Sequence, residues 1–425
     1  MSDRSRRHFA FARFASSAVI SQALLSATSF AIGLILIRRT SDIQYGYYVL
    51  ASSAILLLTS LQNAFFNPPL ARQIVKLDAA GRRELVGGLY REQRRIVPAL
   101  SAIAAALAVA LWVVGVLDAN TGPLVLVTIA ATVAVLHREY FRMVLFAHRN
   151  PHDVLRCDVF YVLLLVAGAF VATLSAQPAI AAVVTLCLAA VAGGALLARA
   201  QQQREPWDVD GAPGILRDIA PLAMWSVSGA AIHWSFSQGY MYVVAGTLDV
   251  ASVAAIAATR LLMMPVNLLS TSMGPLMLPL TSGWLHEHGP GVVLRRLSLF
   301  ALGLAAATTC YFGALWWLRD WIFAVVLKKQ IAQSDTLLLL WGLTFLVAVV
   351  RGQFNWLLAA EGRFRYMTLL TLGSAVVSLA VSYLAMLRFG TTGAVAGILL
   401  GEVITAIGIM SQILRKAPDP VASPA

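Results

Sequence analysis

Residues 199–218 read RAQQQREPWDVDGAPGILRD, and this polar stretch organises the whole chain around it. It holds charges, a glutamine run, two prolines and two glycines, the composition of a connecting segment. Six apolar stretches lie on each side of it. A helix needs about 20 mainly apolar residues to cross a ~30 Å hydrocarbon core. The first six spans read as 15–37, 43–66, 97–117, 123–146, 157–176 and 178–198. The second six read as 219–245, 250–280, 297–318, 335–358, 366–387 and 392–413.

Composition agrees with this layout. The chain of 425 residues is 59% hydrophobic and only 12% charged, whereas soluble domains are about a quarter charged. Its mean hydropathy is +0.77. Helices suit such segments, because each satisfies its own backbone hydrogen bonds in lipid. The ten-residue alternation of a membrane β-barrel is missing. The expected fold is therefore all-α and membrane-integral, with about twelve transmembrane helices in two pseudo-symmetric six-helix bundles around a central cavity. The expected divisions are an N-terminal bundle 1–205, a cytoplasmic linker 206–218 and a C-terminal bundle 219–425.

A net charge of +12 would suit a nucleic-acid binder, but its distribution argues against one. With Met1 in the cytoplasm, 24 of the 32 Lys and Arg fall on the inner side and six on the outer, with Arg260 and Arg351 inside spans. That asymmetry is the positive-inside rule, and it puts both termini in the cytoplasm. The cations then serve topology and attract anionic lipid headgroups. Residues 70–96 read as an amphipathic helix lying on the inner surface. Cys157, Cys187 and Cys310 lie in or beside spans and read as packing residues rather than a disulfide or metal set. The first apolar stretch is too long for the core of a cleavable signal peptide.

The two sets of six resemble each other. HREYFRMVLFAHR in span four aligns with VRGQFNWLLAAEG in span ten, so that Arg138 matches Arg351 and Phe141 matches Phe354. Pro69 and Pro279 match at nearly the same shift. Span one is rich in Ser and Gln (Ser16, Ser17, Ser21, Gln22, Ser26, Ser29), as is span seven (Ser226, Ser228, Ser235, Ser237, Gln238). A parallel repeat about an axis along the membrane normal is a plan that transporters use.

Three phrases carry a family resemblance: GLILIRRTSDIQYGYYVL at 33–50, DVASVAAIAATRLLMMP at 249–265, and the long segment IFAVVLKKQIAQSDTLLLLWGLTFLVAVVRGQFNWLLAAEGRFRY at 322–366. They resemble the polysaccharide-type flippases of the multidrug/oligosaccharidyl-lipid/polysaccharide (MOP) exporter superfamily. The resemblance implies a cavity that opens alternately to either side and a substrate of undecaprenyl-pyrophosphate-linked glycan repeat units. It also implies a bacterial inner-membrane location, and as partners membrane lipids and the polysaccharide polymerase and chain-length machinery. Two positions depart from the family pattern. Gln238 stands where members often carry an Asp in span seven, and Arg39-Thr40-Ser41 stands where a Leu-Gly pair is usual.

Charges inside spans are the candidate working groups, since a charge near the bilayer centre costs a few kcal/mol or more and normally faces a cavity or a partner. Arg260 and Arg351 are expected to meet the pyrophosphate, because guanidinium stays charged and pairs with phosphate oxygens. The competing reading is an internal ion pair with Glu402 or Glu361. His233, Gln238, Trp234 and Gln22 are expected to line the same path; the other readings are packing for His233, an interface belt for Trp234 and helix–helix contact for Gln22. Trp225 and Tyr240 could likewise stack on sugars. Glu402, read as the only carboxylate well inside a span, is either a coupling site or a charge partner. Arg138, Glu139 and Arg142 read as a network at the cytoplasmic end of span four. No phosphate-binding glycine loop, metal site, cofactor motif or catalytic constellation is evident. The alternatives to a flippase are a cation-coupled antiporter of the same superfamily and a membrane polysaccharide polymerase.

Overall fold

The computed structural model describes residues 3–74, 77–207, 215–272 and 274–415. The chain divides into two compact units, Met1–Trp234 and Ser235–Ala425. Most of the expected linker 206–218 lies outside the described residues. Among those described there is no strand.

The first unit holds α1 (Asp3–Arg39), α2 (Asp42–Gln73), α3 (Ala79–Val113), α4 (Thr121–Ala147), α5 (Pro151–Ala172), α6 (Pro178–Arg204) and α7 (Ile215–Trp234). Two helix starts in this unit, those of α2 and α3, carry side-chain caps. Ser41, one of the departures from the family phrase, accepts from Gln44 N–H at 3.3 Å and opens α2. Asp78 does the same for α3 through Gly81 N–H at 2.8 Å. Before α4, Asp118 accepts from the backbone N–H of Thr121 and its hydroxyl and from Asn120 N–H, which holds its carboxyl below the usual range. Helix α7 packs along α2, so the compact boundary falls after Trp234, inside the expected seventh span.

The second unit opens with a π-helical turn (Ser235–Gly239) that runs straight into α8 (Tyr240–Thr247). After it come α9 (Val250–Leu261), α10 (Met264–Ser272), α11 (Gly274–Trp317), α12 (Arg319–Trp321), a second π turn (Ile322–Leu327), α13 (Ser334–Ala360), α14 (Phe364–Phe389) and α15 (Thr391–Leu414).

Among the described residues, ten helices are long and apolar enough to cross a membrane, and the bent pair α9–α10 makes up to eleven. The expected seventh span is α7, its π turn and α8, helical without a gap. The fold class expected from the sequence therefore holds: an all-α integral membrane protein with about twelve spans.

Two local expectations are corrected. Residues 70–96 do not form a separate surface helix. They close α2 and open α3, and Leu85, Val86 and Leu89 are buried against Phe66, Tyr140 and Phe141 rather than turned to lipid. The eighth span is not one helix. It bends by 56° between Leu261 and Met264. The chain then turns at Gly289, whose φ of 77° and ψ of 174° only glycine adopts without strain. Trp284 and Phe300, on either side of that turn, stack with centroids 6.3 Å apart, whereas an unbroken helix would separate them by about 24 Å. The segment before Gly289 thus folds back on span nine. Pro69 and Pro279 lie within helices, but their side chains fall outside those described.

Close packing relies on small residues, as expected where lipid removes the hydrophobic drive between helices. In α15, Gly393, Gly397 and Gly401 form one ridge against α14. There Ser378 donates to Gly397 O and Ser382 to Ala394 O, both at 2.9 Å, so neighbouring backbones are joined across the contact. A Cβ on Gly397 would sit 2.5 Å from Ser382 N. Gly397→Val is therefore expected to cost about 1–3 kcal/mol by overpacking, read as a lowered unfolding midpoint in detergent. An unchanged midpoint would refute this account of the α14–α15 contact.

Candidate functional site

The charged groups inside the first unit neutralise one another. Helix α4 presents Arg138, Glu139 and Arg142, α5 presents Asp158 and α1 presents Ser21. Arg138 pairs with Glu139 and with Asp158. Arg142 reaches Asp158 at 3.2 Å and Glu139 at 3.4 Å. The Ser21 hydroxyl donates to Asp158 and accepts from Arg142 at 3.2 Å. The Arg138 guanidinium lies 3.7 Å from the Tyr161 ring centroid. Gly193 and Gly194 let α6 approach, since a Cβ on Gly194 would come within 3.0 Å of His137. Arg138 is 2% exposed and Asp158 0%. Two cations and two anions, buried and mutually bonded, make a brace between helices rather than an open ligand site.

The expected network of Arg138, Glu139 and Arg142 is present, but Asp158 and Ser21 complete it. Glu402 is consequently not the only carboxylate inside a helix bundle. A second polar knot joins α2, α3 and α4, where Gln93 donates to Gln62 at 2.9 Å and Gln62 donates to Leu136 O at 2.8 Å.

The second unit separates its two span arginines. Arg351 on α13 donates to Glu402 on α15 at 2.8 Å, so the internal ion pair is the form adopted. Glu361 pairs instead with Arg363 at 2.7 Å. Arg260 makes no ion pair among the described residues. It ends α9, where the helix breaks, and its Nη1 donates to Gln238 Oε1 in the π turn at 3.0 Å. Its guanidinium lies 5.5 Å from the Trp341 ring centroid and borders the Tyr240 hydroxyl. Trp341 Nε1 is buried without a hydrogen-bonding partner among the described residues. Arg260 is thus turned toward other segments of its unit.

Backbone irregularity builds this place. The π turn and the α9–α10 break meet at the Arg260–Gln238 bond. The freed Leu262 carbonyl at the break accepts from the Tyr311 hydroxyl at 2.7 Å. Phe236 of the π turn packs on Gly401, where a Cβ would come within 2.6 Å. Both π turns and broken spans are commonly tied to function, because they re-aim side chains inside a bundle. The chemical result is that Arg260 and the Trp341 indole only donate, with five guanidinium N–H bonds and one indole N–H facing two acceptors, the Gln238 amide and the Tyr240 hydroxyl. An anion is the ligand such a surplus suits.

The other expected residues do not join this cluster as first read. Trp234 donates its indole N–H to Ser53 O on α2 at 2.9 Å, a contact between helices that neither expected reading included. Tyr240 is fully buried and offers no face for a sugar, whereas Trp225 is 74% exposed. His233 and Gln22 are exposed on α7 and α1. Trp341, absent from the sequence reading, follows Arg260 only through the fold.

Comparison with solved structures places this geometry. The chain superposes on a multidrug-resistance MATE family transporter of the MOP superfamily with a TM-score of 0.69, at 15% identity, covering 96% of this chain and 99% of that one. The fold is MATE-like. It also matches the lipid II flippase MurJ with a TM-score of 0.74, at 12% identity, covering 94% of this chain and 87% of that one. A MATE transporter bound to MaL6 matches at 0.65, with 14% identity over 96% of this chain and 95% of that one. No protein-family model matches the chain, and no curated relative matches it in sequence.

The brace in the first unit makes a direct prediction. Asp158→Ala leaves Arg138 and Arg142 to share Glu139 alone, one interior cation in excess, and is expected to cost about 3–5 kcal/mol. Arg138→Met with Asp158→Leu removes one charge of each sign, leaves Glu139 with Arg142, and should recover much of that loss. Thermal unfolding of the purified variants checks both, and a double variant no more stable than Asp158→Ala would refute the pairing.

Proposed function

We propose that this protein flips an undecaprenyl-pyrophosphate-linked oligosaccharide across the bacterial inner membrane by alternating access, for surface polysaccharide synthesis. The observation that carries the reading is the uncompensated Arg260 guanidinium, set among buried donors at a break in its span. A pyrophosphate supplies the acceptors that this place lacks, and guanidinium binds phosphate oxygens in pairs. The sequence resemblance to polysaccharide-type flippases supports the lipid-linked glycan, as does the likeness to a lipid II flippase. In this reading both termini face the cytoplasm, and the product passes to a polymerase with its chain-length machinery. Arg351 serves through its pair with Glu402, as a brace or as a gate that opens when the pair breaks.

A second reading, cation-coupled antiport of a drug or metabolite, draws support from the MATE neighbours. The described span carboxylates Glu139, Asp158 and Glu402 are all ion-paired, so coupling in that case would have to break an existing pair.

Gln238 is central to the flippase reading. A neutral amide accepts from Arg260 yet leaves its charge uncancelled, whereas an Asp would cancel it. In proteoliposomes, Arg260→Ala is expected to lower translocation of the pyrophosphate-linked substrate about 10- to 100-fold, the loss of charge-assisted hydrogen bonds. Arg260→Lys should retain part of the rate, and Gln238→Asp should also lower it. Wild-type rates in Arg260→Ala at equal membrane insertion would sink the assignment. Drug efflux driven by a cation gradient, without substrate flipping, would favour the antiporter.

A further inference from the structure

The groove beside Gly303 on α11 shares no residue with the Arg260 cluster or with the charge network of the first unit. It measures about 370 Å³ and is lined by Arg296, Leu299, Phe300, Gly303 and Leu304. Leu297, Ala301 and Thr308 turn inward and are buried, while Leu299 and Leu302 on the other side of the helix are 62% and 67% exposed. An apolar exposed face on a membrane span faces lipid. The groove exists because Gly303 has no side chain, and a Cβ there would meet nothing within 4 Å.

The fold-back at Gly289 closes one end of this surface. It brings Trp284 against Phe300, and the Arg296 guanidinium lies 5.0 Å from the Trp284 ring centroid. Arg295 precedes it and is exposed. Neither arginine has an ion-pair partner among the described residues. The surface therefore has two uncompensated cations at one end and an apolar channel running along the span from them.

We propose that this groove binds an anionic glycerophospholipid of the surrounding bilayer, with its phosphate on Arg295 and Arg296 and an acyl chain along Gly303. Charge complementarity selects the headgroup, since basic pockets beside membrane helices favour anionic lipids. The channel adds what a bare pair of cations lacks. Arg94 and Arg95 likewise precede an exposed apolar face on α3, with Leu100 at 62% and Ile103 at 66% exposed, and they serve as the internal control.

Native mass spectrometry of the purified full chain, titrated with phosphatidylglycerol or phosphatidylcholine, tests the site. Wild type is expected to retain one phosphatidylglycerol in preference to phosphatidylcholine. R296Q should weaken that retention about fivefold, the worth of roughly one juxtamembrane cation. G303L should abolish it with both arginines in place and the unfolding midpoint unchanged, because the added side chain enters open space. R94Q/R95Q should leave it intact. Equal retention of the two lipids, wild-type retention in G303L, or an equal loss in R94Q/R95Q would overturn the proposal. So would displacement by undecaprenyl phosphate at equimolar amounts, which would assign the groove to a carrier lipid. Dissociation of a dimer in G303L would overturn it too, since a second copy would then be the occupant.

Discussion

No water reaches the hydrocarbon core, so every backbone group and every charge in a span must be satisfied by the chain itself. Most features of this protein answer that constraint. Where α9 breaks, the Tyr311 hydroxyl takes up the freed Leu262 carbonyl. Where α14 meets α15, serines donate to carbonyls of the neighbouring helix, and glycines bring the backbones close enough for them to reach. Where charges enter the first unit, they enter as two of each sign.

Against that background, Arg138 and Arg351 belong to one class and Arg260 to another. The first two align when the halves are compared in sequence, and both are ion-paired. Their partners differ: Arg138 reaches into α5 for Asp158, and Arg351 reaches into α15 for Glu402. The two aligned cations thus find different counter-charges. A structural cation needs a counter-charge of some kind, and the helix supplying it is free to change. Arg260 has no such partner among the described residues, and no arginine of the first half aligns with it.

Hydropathy makes the spans legible because burial in lipid demands about 20 apolar residues in a row, and most of the expected spans are helices of the observed fold. The charge network was only half legible. Asp158 sits at the front edge of the apolar run of span five, so it reads as a loop-side residue. In the fold, α5 begins seven residues earlier, at Pro151, and Asp158 is wholly buried. The fold-back at Gly289 was hidden for the opposite reason. The polar residues around it read as an ordinary loop, and nothing in composition distinguishes a loose connection from a sharp return. The π turn leaves no compositional trace either, since it is one altered hydrogen-bond step inside an apolar helix. Trp341 could not be joined to Arg260 from sequence, because they lie on different helices whose pairing depends on tertiary packing.

The departure at Gln238 gains a physical meaning from this geometry. A span arginine beside a carboxylate is a finished pair, and drawing it toward a ligand means breaking that pair in a medium of low dielectric. A span arginine beside an amide keeps its orientation, because Gln238 Oε1 still accepts from it, but keeps its charge as well. The cost of an unneutralised guanidinium in the membrane is then tolerated only where something returns that energy. An anionic group bound during each cycle would do so. On the flippase reading, the departure at Gln238 is what leaves Arg260 available for the substrate.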